Sequence, residues 1–373
     1  MRIVLTHPFC WPHVRRGSER LIDGLGQFLD GRGHDVLTLS TGPGLGTTEH
    51  TAAGTRRLYP SLWHPLLARV RIQAYHPFLL TSLLGLARAE ADVVHSFFFT
   101  DGFAAGLLAP RRRFKAILQI NGPAAPWAFR RFLPPDQGIL RRAMESADVV
   151  LAPSRFVADV FDEHYRVGAR VSVPPIDVDH FLPGPPSSER EPILASVANF
   201  DERRKGVRVL ARAFERLLGA HPELTLQLSG SMSDATRAEV LGSVGEHARS
   251  RIELLGVGRV ADVQALYRRA RLFVLPTMWE ASAYSMFEGW ASGLPAVVTA
   301  HGGLPEFVTP ETGVMFDPLT DGMETTNVEG LTEAIDRGLE LAADPQTSAR
   351  CRAHAERYAW DRLGPEVEDI YRE

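Results

Sequence analysis

The stretch Pro276-Thr-Met-Trp-Glu280-Ala-Ser-Ala-Tyr-Ser-Met-Phe-Glu288-Gly-Trp-Ala-Ser-Gly293-Leu-Pro295 carries two glutamates eight residues apart. An apolar run, Leu272 to Leu275, precedes it and a helical pattern, Ser285 to Ser292, lies within it. Glu280 therefore falls in a strand-to-helix loop and Glu288 one to two turns into the helix. The first N–H groups of a helix have no acceptor inside it and favour a bound anion. Around Ser282, Ala283, Tyr284 and Ser285 such groups suit a diphosphate, which leaves the two acids to accept hydrogen bonds from hydroxyls.

Positive charge comes from the turn Asn199-Phe-Asp-Glu-Arg-Arg-Lys205, with Lys205 first and Arg203 or Arg204 beside it. The same residues also suit an ordinary solvated basic turn. Arg16-Gly17-Ser18-Glu19 follows the first apolar run, and Gly17 either lets backbone approach a phosphate or simply turns the chain. Asn121 follows the run Ala116 to Ile120, where its amide can position a hydroxyl. His95 ends a predicted strand, at the edge where sites in open parallel sheets collect. His13 lies in the first loop with less support, and a lone histidine of either kind also serves simple packing.

The elements that must hold these groups are readable as alternation. Apolar runs at Ile3 to Thr6, Asp35 to Leu39, Asp92 to His95, Ala116 to Ile120 and Asp148 to Ala152 alternate with helical patterns such as Glu19 to Leu29. A second series starts later, with strands near Ile193 to Ala198, Leu224 to Leu228, Ile252 to Leu255, Leu272 to Leu275 and Ala296 to Thr299. Its helices are expected near Val207 to Leu218 and Val260 to Arg269. This rhythm predicts two α/β domains, each a doubly wound parallel sheet. Between them Phe181 to Pro192 concentrates Pro, Gly and Ser, and residues 184–192 are read as a linker. The domains are then 1–183 and 193–355, with a terminal helix over 356–373 that carries Trp360, Leu363 and Tyr371.

The string around Glu280 resembles the E-x7-E signature of the family 4 retaining glycosyltransferases. Its sequel is similar too: Ala291-Ser292-Gly293-Leu294-Pro295, the strand Ala296 to Thr299, then Gly302-Gly303-Leu304-Pro305-Glu306. Further matches run in the family's order: Arg32-Gly33-His34-Asp35-Val36, Asp92-Val-Val-His95, Pro153-Ser154-Arg155-Phe156, Ile176 to Phe181, Lys205-Gly206 and Tyr358-Ala-Trp360-Asp. The resemblance implies the GT-B fold, two Rossmann-like domains facing a cleft, with the C-terminal helix crossing back to the N-terminal domain. It implies a nucleotide-sugar donor, with a hexosyl group transferred, bound by the C-terminal domain, and an acceptor on the N-terminal side. Glu280 would contact sugar hydroxyls, Glu288 the ribose, and Lys205 with a second cation the diphosphate.

Several positions depart from the pattern. The family's arginine is replaced by Asn199, and Arg204 is the favoured substitute because the turn is one residue longer than usual. Asn121-Gly122 stands where His-Gly is common, and Ala281 and Ala283 stand where glycines are usual. Asp177-Val-Asp179 has metal-motif spacing but matches a structural loop, so no metal and no other cofactor is expected. Two further classes share the resemblance: a sugar-nucleotide-binding protein without transfer activity, and a GT-B-like sugar-nucleotide epimerase. Glu280, Glu288 and Lys205 together favour transfer.

Composition sets the remaining bounds. The 373 residues exceed a usual single core, and 45% hydrophobic with 23% charged residues is ordinary for a folded protein. Two cysteines, Cys10 and Cys351, fit a reducing compartment, and the short apolar start is unlike a signal peptide, so a cytoplasmic chain is expected. A sequence pI near 6.4 without a binding motif argues against nucleic acid. The acceptor is left open among small molecules, glycans and lipids. Arg111-Arg112-Arg113, then Trp127, Phe129, Arg130, Arg131, Phe132 and Arg141-Arg142, interleave basic and aromatic residues, which suits either a solvated helix or peripheral contact with an anionic inner membrane face.

Overall fold

A computed structural model describes residues 1–14, 16–44, 46–62, 64–122, 134–320 and 322–373, without the side chains of residues 65, 68 and 134. Trp127, Phe129, Arg130, Arg131 and Phe132 lie outside the described residues. The chain forms two compact units, Met1–Pro175 with Trp360–Glu373, and Ile176–Ala359.

In the first unit the elements run β1 (Arg2–Thr6), α1 (Gly17–Gly31), β2 (Asp35–Gly42), β3 (Thr47–Thr51), β4 (Gly54–Pro60), α2 (His76–Arg88) and β5 (Val93–Ser96). They continue with α3 (Phe99–Arg112), β6 (Lys115–Gln119), α4 (Pro134–Ser146), β7 (Val149–Ala152), α5 (Arg155–Tyr165) and β8 (Arg170–Val171). The sheet order is β3-β4-β2-β1-β5-β6-β7-β8, parallel except for β3 against β4. Ile3, Val4 and Leu5 of β1 and Val93 and Val94 of β5 are almost fully buried, as a strand covered on both faces requires.

The second unit holds β9 (Glu191–Val197), α6 (Val207–Leu217), β10 (Thr225–Ser229), α7 (Asp234–Gly242), α8 (Glu246–Arg249), β11 (Ile252–Gly256), α9 (Val260–Arg269) and β12 (Ala270–Leu275). After these come α10 (Tyr284–Ala291), β13 (Ala296–Thr299), β14 (Gly313–Phe316), α11 (Val328–Ala343) and α12 (Thr347–Glu356). Its six strands are all parallel in the order β11-β10-β9-β12-β13-β14. The helix α6 turns Val207, Leu210, Phe214 and Leu217 inward, each burial contributing about 1.5–3 kcal/mol. The strand order reverses direction between β9 and β12, so the loops leaving these two strands open side by side, the usual place for a ligand in an open α/β sheet.

The last helix, α13 (Trp360–Arg372), belongs to the first unit. Its Glu368 accepts from Arg32 Nε at 3.2 Å and pairs with His34 Nε2 at 2.9 Å. Trp360 stacks on Phe28 and leaves no room for a side chain at Gly24, where an added Cβ would sit 2.8 Å from the indole. The Arg32-Gly33-His34 run thus serves to seat the C-terminus, with Gly33 at φ +82° making the turn.

The division between units differs from the expected linker. The chain passes from one unit to the other at Pro175–Ile176 and returns at Ala359–Trp360, while residues 184–192 lie within the second unit. Their polar groups are satisfied internally: Ser187 Oγ donates to Ala342 O at 2.8 Å, and Arg190 donates to Pro185 O, Tyr267 O and Ser292 O at 2.7–3.0 Å. Composition alone reads such a segment as a solvated connector because it cannot see these distant carbonyls.

Candidate active site

The loop from β12 to α10 carries Glu280, and three groups converge on one of its oxygens. Oε2 accepts from Arg204 Nη1 at 2.6 Å, Lys205 Nζ at 2.8 Å and Thr277 Oγ1 at 3.0 Å. Burial alone would push the carboxyl up, but the charges of Lys205 and then Arg204, with their hydrogen bonds, outweigh it and hold Glu280 at about 2. Burial also lowers Lys205, against the pull of Glu280. The site is thus an ionised acid held between two cations.

Backbone geometry builds this cluster. Gly206, at φ +65°, packs so closely on Pro276 that a Cβ there would meet its carbonyl at 2.2 Å. Met278 N donates to Arg204 O at 2.7 Å, which ties the basic turn to the loop before Glu280. On the other side Gly303 N donates to Glu280 O at 2.9 Å, and a Cβ on Gly302 would approach that oxygen to 2.5 Å. Trp279 adopts φ +57°, a conformation that costs a non-glycine residue about 1–2 kcal/mol. Its N–H reaches His301 Nδ1 at 3.2 Å and its indole N–H the Gly322 carbonyl at 3.0 Å.

Helix α10 starts immediately after, with Ala283 as N-cap, a residue whose methyl offers no acceptor to the first N–H groups. Ala281 and Ala283 are buried while Ser282, Tyr284 and Ser285 are half-buried, so the helix start is partly accessible. Glu288 is 1% exposed on the buried face of this helix, with Tyr267 Oη donating to its Oε2 at 3.5 Å.

The structure brings Glu280, Lys205 and Arg204 together and separates Arg203, which faces Glu239 at 3.3 Å and Glu324 at 3.8 Å. Asn199 is linked to the cluster through Glu202. In the first unit, Gly17 opens α1, and Asn121 meets the same helix start: its Nδ2 donates to Ser18 Oγ at 3.4 Å and its Oδ1 accepts from Gln119 Nε2 at 2.9 Å. His95 is fully buried, 2.7 Å from Tyr371 Oη and stacked on Phe97, and burial pushes it down to about 3. Its place is under α13, inside the fold. Sequence reading missed Thr277, Trp279, His301 and Glu202; Thr277 and Trp279 stood in the quoted string, yet their types carried no charge to draw notice.

A model described as "Glycosyl transferases group 1" matches residues 191–340, and one described as "Glycosyltransferase Family 4" matches residues 15–180.

The chain is a glycosyltransferase with a family 4 domain followed by a group 1 domain.

This glycosyltransferase is 24% identical over 282 residues to the GDP-mannose-dependent monoacylated alpha-(1-6)-phosphatidylinositol monomannoside mannosyltransferase of Corynebacterium glutamicum, covering 69% of each chain. It is 29% identical over 227 residues to the D-inositol 3-phosphate glycosyltransferase of Corynebacterium jeikeium, over 55% of this chain and about half, 51%, of that protein. Among solved structures, sucrose-phosphate synthase from Thermosynechococcus elongatus aligns with a TM-score of 0.82 at 20% identity, covering 100% of this chain and 98% of that one. That likeness establishes the GT-B fold.

Proposed function

We propose that this glycosyltransferase moves a hexosyl group from a nucleotide-sugar donor to a hydroxyl acceptor, with retention of configuration and without a metal ion. The observation that carries the reading is the convergence of Lys205, Arg204 and Thr277 on one oxygen of Glu280, one short loop before the start of α10. A diphosphate at the helix start draws the two cations from Glu280, which frees that carboxylate for sugar hydroxyls. Glu288, about one turn into α10, takes the ribose hydroxyls.

In the transfer step the bond from the anomeric carbon to phosphate oxygen breaks and its electron pair stays on the phosphate. The acceptor oxygen bonds the same carbon and its proton passes to the departing phosphate. Negative charge grows on the diphosphate as this happens, so Lys205, Arg204 and the helix N–H groups bind the transition state more tightly than the donor. In the first unit, Gly17 opens a helix and Asn121 supplies an amide that can position a hydroxyl.

A lipid-borne hydroxyl is the acceptor class we favour. Leu80 and Leu84, one turn apart on α2, are 56% and 45% exposed, and Leu107 of α3 is 45% exposed. The C-terminal ends of these helices meet, with Arg112 Nη2 donating to Ala89 O at 2.6 Å, and Arg88, Arg111 and Arg113 are exposed there. Apolar side chains beside arginines suit an anionic bilayer surface. By contrast Arg141 is folded over Tyr165 and Arg142 pairs with Glu145, so neither adds to that face. Among the described residues no helix is long and apolar enough to cross a membrane.

Thermal shift with UDP-, GDP-, ADP- and TDP-sugars identifies the donor, and product NMR after incubation with acceptors and EDTA reads the anomeric outcome and any metal requirement. Glu288→Ala should weaken nucleoside diphosphate binding, whereas Glu280→Ala should suppress transfer more than binding. Wild-type behaviour in both variants overturns the site. An isomerised donor would mean an epimerase, and tight binding without any reaction a sugar-nucleotide-binding protein. Sedimentation with phosphatidylglycerol but not phosphatidylcholine vesicles, lost in a Leu80→Ser, Leu84→Ser variant, tests the lipid surface.

A further inference from the structure

We propose that Glu202 is a positioning residue that aims Arg204 at the Glu280 site, and that Asn199, Glu202 and Arg204 together do what a single cation at position 199 would do. The inference rests on the reading of Lys205 and Arg204 as diphosphate ligands.

Both oxygens of Glu202 are used. Oε1 accepts from Asn199 Nδ2 at 3.2 Å, and Oε2 accepts from Arg204 Nε at 2.8 Å and Nη2 at 2.7 Å. A guanidinium is planar, so clamping its Nε edge fixes where the opposite nitrogen points. That nitrogen, Nη1, is the one 2.6 Å from Glu280 Oε2. Asn199 is held in turn, its Oδ1 accepting from Ser231 Oγ at 2.7 Å and from Asp201 N at 3.3 Å.

Exposure shows why the whole chain of contacts matters. The Glu202 and Arg204 side chains are 40% and 25% exposed, and an isolated pair at such a surface holds little. Here Asn199 orients the carboxylate and the backbone orients the turn, since Lys205 N donates to Glu202 O at 2.9 Å and Met278 N to Arg204 O at 2.7 Å. Positions 199 and 204 therefore address one carboxylate, which makes them exchangeable origins for a positive charge. If Glu202 only neutralised Arg204, its removal would strengthen the grip on an anion; if it positions Arg204, its removal weakens the site.

The test compares the wild type with Glu202→Gln, Arg204→Ala and the pair Asn199→Arg with Arg204→Ala. Donor turnover is measured alongside the titration of the Glu280 carboxyl by carbon NMR. Glu202→Gln and Arg204→Ala should move that titration upward by about one unit or more and lower kcat/KM about tenfold or more. The double variant should return both readouts most of the way to wild type. The proposal is overturned if Glu202→Gln leaves titration and turnover unchanged or raises turnover, or if a folded double variant matches Arg204→Ala in both. Should the double variant not fold, Glu202→Gln alone decides. A wild type that turns over no nucleotide sugar defeats the proposed function, while the NMR titration still reads the positioning.

Discussion

Nζ of Lys205 lies 2.8 Å from Oε2 of Glu280, the oxygen that also receives Arg204 and Thr277. Because both groups are largely buried, their charges act on each other through a medium poorer in water than the surface, and the acid is held far below its ordinary 4.5.

Replacement of this lysine separates charge from packing. Glu280 is depressed from 4.5 to about 2 in the folded state, so its contribution to stability is full above pH 4.5 and is lost as pH falls through about 2. Lys205→Met should shrink that acid-side loss, because the folded carboxyl then titrates nearer its unfolded value. Denaturant midpoints between pH 2 and 5, a window set by the same shift, check this. Transfer should fall about 100- to 1,000-fold, the scale for loss of one preorganised charge-stabilising donor.

Gly302 tests how closely the neighbouring loop must approach. An alanine there would hold φ +68° and place Cβ 2.5 Å from the Glu280 carbonyl, so the loop must move. Gly302→Ala is expected to cost about 1–2 kcal/mol from backbone strain alone and to reduce turnover by displacing Glu280. Gly31→Ala, with nothing within 4 Å and no positive φ, is the control and should be neutral or slightly stabilising.

Glu368 anchors the last helix. Burial raises its carboxyl, but the His34 hydrogen bond and then the charges of Arg32 and Arg372 outweigh this and hold it below the usual range. Its contribution is therefore present above the ordinary carboxylate pKa and lost as pH drops through the lower folded value. Glu368→Gln should destabilise the first unit by about 2 kcal/mol, and limited proteolysis should then release residues 360–373 faster.

Much of the fold was legible because parallel strands leave an unmistakable apolar rhythm. The runs at Ile3, Asp92, Ile193, Leu272 and Ala296 all became strands near their expected bounds. The hairpin of β3 and β4 was not legible: Thr47-Thr-Glu-His-Thr51 is polar throughout and its pairing with β4 is set across a turn. β14 was missed as well, since Gly313-Val-Met-Phe316 opens on a glycine, which reads as a turn. The boundary between units was misplaced because Pro, Gly and Ser at 184–192 look like a connector until Arg190 is seen to bury its guanidinium among carbonyls.

Residue types and their order determined the glycosyltransferase family, the two α/β sheets and the two glutamates with their basic turn, because these are local patterns. Only tertiary structure decided that Arg204 and not Arg203 reaches Glu280, that His95 lies under the final helix, and that Glu202 joins Asn199 to the cluster. Such choices turn on which side chains end within about 3 Å of one another, and that distance is set by segments far apart in sequence that the sheet brings side by side, beyond the reach of any sequence period.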